Sequence, residues 1–161
     1  MKSFHFILAT SVTTCLGLMG CRSAATSVAT FHTPNIECMG VEHDGSQTLR
    51  SYGTGSNKTD AIEQAKKNAI REVIFKGIRH GQTGCNMRPL VNEVNAEEKY
   101  RDYFNIFFAD GGEYRKYVSL ADERKRSRDK AKAQTFIGYS ITVRVLRSEL
   151  ESRLKADHVI E

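Results

Sequence analysis

The chain has no tryptophan among its 161 residues, only two prolines and only four cysteines. So little proline excludes a proline-rich linker or a collagen-like repeat, and four cysteines in this length exclude a disulfide-dense miniprotein. Metal and redox spacings are missing too. No two cysteines form C-x-x-C, and none of His5, His32, His43, His80 and His158 makes H-x-x-x-H or pairs with a cysteine at ligand spacing. There is no G-x-S-x-G elbow. The adjacent carboxylates Glu97-Glu98 and Asp122-Glu123 fall in charged stretches where nothing raises a pKa for acid catalysis. These residues point to no catalytic group, no metal, no cofactor and no enzyme. What is present is ordinary for a globular protein: 40% hydrophobic, 27% charged and a formal charge of +5.

Residues 1–20 carry one charge, Lys2, followed by an apolar run from Phe4 to Met19 that is broken by small polar residues. A membrane span needs about 20 apolar residues, so this reads as the basic and apolar regions of an export signal. It ends in Leu18-Met19-Gly20-Cys21, which resembles the lipobox of bacterial lipoproteins. The resemblance implies cleavage before Cys21, a diacylglyceryl thioether on its sulfur, acylation of the new amine, and the lipid bilayer as a partner. Residues 21–34 are mostly small and polar and read as a flexible tether. No acidic residue lies in the tether after Cys21. In lipoproteins of this kind that leans toward the periplasmic face of an outer membrane, where nucleic acid is no partner.

Cys15 leaves with the signal and Cys21 carries lipid, so Cys38 and Cys85 remain. In an oxidising compartment they are expected to form a disulfide, the alternative being two buried thiols. The bond closes a 48-residue loop, worth about 4 kcal/mol in the chain-entropy model.

Residues 35–161 read as one α+β domain. Residues 36–54 form a β-hairpin around a two-residue turn, Asp44-Gly45. Residues 58–79 form a helix capped by Asn57, with apolar residues from Ala61 to Ile78 at three- and four-residue spacing and Gly81 just past its end. A second helix is predicted from Pro89 to Ala109, with Val94, Tyr100, Phe104, Phe107 and Phe108 on its apolar face, and then a strand from Glu113 to Leu120. Residues 135–146 alternate strictly, which predicts a half-buried strand. Ser148 to Glu151 reads as a capping box opening a last helix with Leu150 and Leu154 inward. The expected architecture is two-layer: an antiparallel sheet of about four strands, helices covering one face.

Three features invite a functional reading. Gly53-Thr54-Gly55 precedes a helix, where a phosphate loop lies, but Asn57 and Tyr52 occupy the glycine positions a P-loop needs. The connection from Asp122 to Lys132 carries six basic and three acidic residues, with Arg124, Lys125 and Arg126 as contacts for an anionic or acidic partner. Tyr103, opposite the apolar helix face, is the candidate anchor for a protein interface.

The lipobox, the strand ending Gly53-Thr54-Gly55, and the alanine-spaced helix Asp60 to Ala69 together are similar to a family of small membrane-associated bacterial lipoproteins and to the N-terminal domain of FlgT, a periplasmic flagellar-ring protein. The resemblance covers roughly residues 48–80. It implies a small sheet with helices serving as a protein-interaction or structural module of an envelope assembly. The alternative is a binding protein for a small ligand or an anionic envelope polymer, for which the discriminating feature is a pocket lined by Tyr and Phe.

Overall fold

The computed structural model describes residues 36–120, 129–132 and 137–161. The signal, Cys21, the tether and Arg124, Lys125 and Arg126 lie outside the described residues.

The expected hairpin is there. β1 (Glu37–Val41) pairs antiparallel with β2 (Gln47–Gly55). Its turn is not the two-residue one. Gly45 N–H donates to the Glu42 carbonyl (3.0 Å), Glu42 N–H donates to the Ser46 carbonyl (2.9 Å), and only Gly45 takes positive φ, at 79°. This is a three-residue loop, a type I turn closed by a left-handed glycine. The Asp44 carboxylate accepts from Ser46 N–H (2.9 Å), an Asx turn that makes positive φ at Asp44 unnecessary.

β2 pairs along its whole length with β6 (Ile137–Val145), from Gln47 opposite Val145 to Gly55 opposite Ile137. Strict alternation in β6 buries Ile141, Val143 and Val145 between half-buried Ser140, Thr142 and Arg144. The other edge of β6 is shared by β4 (Val118–Ser119) and β5 (Asp129–Lys132), so among the described residues six strands occupy five positions. Between those pairings the chain has nine residues, 120–128, where β6 has three, 141–143. The sheet is mixed rather than purely antiparallel: β3 (His80–Gly81) runs parallel to β1, with His80 opposite Glu37 and Gly81 opposite Cys38. Two residues are too few to leave a periodic trace in sequence. The Cys38–Cys85 disulfide fixes this loop to β1, with the two Cα atoms 6.3 Å apart.

α1 (Lys58–Arg71) begins at Asn57, whose side chain accepts from Asp60 N–H (3.0 Å). Its fully buried Ala61, Ala65 and Ala69 lie on β2 and β6, and Ser51 Oγ donates to the Ala65 carbonyl (2.7 Å) across that seam. The helix does not run to residue 79. It widens into one π-helical turn, Glu72–Lys76, and stops at Gly77, with φ 74°. Gly77, not Gly81, is therefore the terminating glycine, because a Cβ there would strike the Met87 carbonyl and Pro89. The carbonyls of Val73 and Ile74 accept from Leu90 and Val91 N–H (3.0 and 2.9 Å), which occupies the helix end with backbone from further along the chain.

The long second helix resolves into two short ones, α2 (Ala96–Lys99) and α3 (Arg101–Phe107), and residues 89–95 are not helical. Val94 is 84% exposed and belongs to no apolar face. Phe104, Phe107 and Phe108 are buried as expected. Residues Glu113–Tyr117 form a 3-10 turn rather than a strand, which buries Tyr114 and Tyr117 together. α4 (Arg147–Ala156) buries Leu150 and Leu154, but the capping box does not form. Leu146 N–H donates to the Tyr117 carbonyl (2.9 Å), so the strand runs straight into the helix and Ser148 lies inside its first turn. The class is α+β, with α1 on the sheet face built by Gln47, Leu49, Ser51 and Gly53.

Candidate functional site

The glycine-rich strand end is a packing device. A Cβ on Gly53 would strike the Ala61 carbonyl and the Ala65 nitrogen, and one on Gly55 would come within 2.6 Å of the Ala61 nitrogen. Missing side chains on β2 thus meet alanines on α1, and the helix backbone lies directly on the strand. The N-terminus of α1 already holds an anion of its own: the Asp60 carboxylate accepts from Ser56 Oγ (2.6 Å) and Asn57 Nδ2 (2.8 Å). A phosphate there would meet a carboxylate in the first turn.

The aromatic concentration packs on itself. Phe75 meets Phe104 edge-on with centroids 4.7 Å apart, Phe107 meets Phe108 at 5.0 Å, and Tyr117 stacks on Phe107 at 6.0 Å. Tyr103 is half-buried against Phe104 (5.0 Å) and its hydroxyl donates to Asp157 Oδ2 (2.7 Å). Burial, and then the Asp157 carboxylate, raise its pKa well above the ordinary phenol value. Arg153 Nε donates to the same carboxylate oxygen (2.6 Å). Tyr103 therefore ties α3 to the end of α4.

One ridge of α1 makes a polar seam with the segments after it. Glu63 accepts from Lys66 (2.8 Å), Tyr114 Oη (2.7 Å) and Arg115 Nε (3.2 Å); Lys67 pairs with Asp110 (2.9 Å); Arg71 pairs with Glu97 (2.9 Å). Positions 63, 67 and 71 recur at four residues, so one helical face carries all three. Burial disfavours the charged form of Glu63, but the hydrogen bonds from Lys66 and Tyr114 outweigh it and hold the carboxyl below its ordinary range.

Two buried polar side chains went unmarked by sequence. Arg147 is 7% exposed, and its Nη2 donates to the Arg88 carbonyl (2.7 Å). Burial lowers its pKa, partly offset by the charge of Glu151. Gln47 is fully buried and donates from Nε2 to the Asn86 carbonyl (3.1 Å). Both reach the loop that carries Cys85. Gln47 left a trace, since it takes an inward position beside Leu49 and Ser51. Arg147 left none.

An open cleft of about 740 Å³ lies beside the C-terminal end of α4. Tyr100 is its aromatic residue, and four of its charged side chains pair with one another: Lys99 with Glu93 (2.7 Å) and Lys155 with Glu151 (3.6 Å). His158 lines it, His43 is exposed in the hairpin loop and His80 is exposed in β3. Among the described residues no three His, Cys, Asp or Glu side chains gather as a metal site, and no helix is long and apolar enough to cross a membrane. Compared with known proteins, the chain matches no family model, no curated protein and no solved structure.

Proposed function

We propose that this chain is a bacterial lipoprotein, held to the outer membrane on its periplasmic side by an acylated Cys21. Its α+β domain serves as a protein-interaction or structural module of an envelope assembly, like the small lipoproteins and the FlgT domain it resembles. The observation that carries the reading is the Cys38–Cys85 disulfide. Such bonds persist in oxidising compartments, which agrees with the export signal and lipobox ending at Cys21. The non-enzymatic part of the reading is supported by the close ionisable groups, which join structural elements to one another: Glu63 to Tyr114 and Arg115, Asp157 to Tyr103. Arg124, Lys125 and Arg126 remain the proposed contacts for an anionic partner.

The second reading, a binding protein for a small ligand or anionic polymer, draws on the cleft at Tyr100 and Lys99. It lacks the several aromatic walls such a ligand needs, because the phenylalanines are packed on one another. Brief crosslinking in cells followed by capture from solubilised envelopes separates the two. A stoichiometric protein partner supports the assembly reading, and a lane holding the protein alone with glycan or lipid overturns it. Cys21→Ala is expected to move the protein from the membrane to the soluble fraction. Membrane retention of that variant contradicts the anchor.

A further inference from the structure

The loop from Gly77 to Leu90 is anchored at its neck, where Ile78 N–H donates to the Met87 carbonyl (3.0 Å) and Leu90 and Val91 bond to the end of the preceding helix. Beyond the neck, residues 79–84 are exposed. Their contacts with the sheet include the two-residue pairing of β3, the bond from Gln82 N–H to the Cys38 carbonyl (2.9 Å), and the neighbouring disulfide. A parallel strand of two exposed residues has little stability of its own. The two halves of the disulfide differ in access: Cys38 is fully buried under the loop and Cys85 is half-buried within it. Gly81 lies hard on the strand beneath, where a Cβ would come 2.7 Å from the Cys38 nitrogen.

We propose that the Cys38–Cys85 disulfide is a redox-sensitive latch: closed, it holds β3 over the outer edge of β1, and opened by a dithiol, it uncovers that edge while the neck and the rest of the sheet stand. A thiolate of the dithiol attacks Cys85 Sγ, the accessible half. The S–S bond breaks, and Cys38 leaves as a thiolate that takes up a proton. The second thiolate of the reductant then displaces Cys85, which is protonated in turn. The reductant ends as its own disulfide, having supplied two electrons. The Cys38 carbonyl loses its Gln82 donor, and β1 becomes an open strand edge, a template for pairing. The latch rests on this loop alone and is independent of the lipid anchor.

Residue-resolved amide exchange on the full chain, oxidised and after dithiothreitol, tests it. Alkylation and peptide mapping confirm the state of Cys85. Reduction is expected to speed exchange at Gln82 at least tenfold, while Leu90, Val91 and the β6 amides stay strongly protected. Unchanged Gln82 in reduced protein overturns the latch. So does loss of β6 protection together with Gln82, which would make the bond a staple of the whole fold, and so does a disulfide that dithiothreitol cannot reach without denaturant. The double variant Cys38→Ser/Cys85→Ser is expected to reproduce the reduced pattern.

Discussion

Gly53→Ala adds one methyl group at the point where α1 lies closest to the sheet. The backbone has no objection, since Gly53 is not among the glycines of positive φ. In the unfolded chain the change is favourable by about 0.4–1 kcal/mol through lost conformational freedom. The obstacle is packing. The new Cβ meets the Ala61 carbonyl and the Ala65 nitrogen, and even Ala65 Cα, at 2.9 Å, must retreat about 0.5 Å to reach the 3.4 Å where ordinary contact begins. All three are backbone atoms of a helix, so no rotamer relieves them. Overpacking of a core costs about 1–3 kcal/mol, and a backbone obstacle places this site at the top of that range. The net expectation is a loss of about 2 kcal/mol. At a urea dependence of about 1.5 kcal/mol per molar, the unfolding midpoint falls by about 1.3 M. Thr54→Ala, one residue along and exposed, is the control and should stay within about 0.5 kcal/mol. A Gly53→Ala protein as stable as the parent would refute the claim that these glycines exist to seat the helix.

Acid should weaken the fold through Glu63 and Asp157. Burial opposes the charge on each, but hydrogen bonds, from Lys66 and Tyr114 on Glu63 and from Tyr103 and Arg153 on Asp157, hold both below their ordinary values of 4.5 and 3.8. A carboxyl depressed in the folded state stabilises above its unfolded pKa, and that contribution is lost as pH falls through the folded value. Denaturation midpoints measured from pH 6 to pH 2 should therefore decline below about pH 4.5, and less steeply in Glu63→Gln. Tyr103→Phe removes a bond to a carboxylate and should cost about 1–2 kcal/mol in thermal unfolding. A lost partner with an intact melting temperature would mark Tyr103 as an interface residue, and unchanged partner capture would leave it a structural tie. Arg147→Met removes a buried cation whose hydrogen-bond partner is a carbonyl; equilibrium unfolding should find the variant within about 1 kcal/mol of the parent or more stable.

The elements that sequence disclosed were those with a long repeat. β6 alternates over nine residues and α1 shows its apolar ridge over four turns, so both were legible, as were the hairpin and the disulfide. What stayed hidden was decided by distant backbone. Gly77 ends the helix because Met87 and Pro89 crowd it, and the wide hydrogen-bonded turn before it has no composition of its own. Residues 89–95 carry apolar side chains at helical spacing, but Leu90 and Val91 are held against the end of the first helix and Asn95 takes positive φ, at 60°, which breaks any helix running through it. Tyr103 was placed on the correct helix and on the less buried side, yet its partner, Asp157, is 54 residues away. The seam of Glu63, Lys67 and Arg71 stayed hidden for the same reason: Tyr114 and Asp110 are 51 and 43 residues from their partners.

The pairing of β2 with β6 also sets an order of assembly. β1, β2 and α1 are consecutive, and their contacts close over short stretches of chain, so they can form early. The other edge of β2 waits for residues 137–145, nearly a hundred positions after Gln47. A chain emerging from its amino end therefore passes through a stage with Cys38 and Cys85 both present and β6 missing. The covalent tie can be made before the sheet is complete, and the early half carries an unfilled strand edge until the last quarter of the chain arrives.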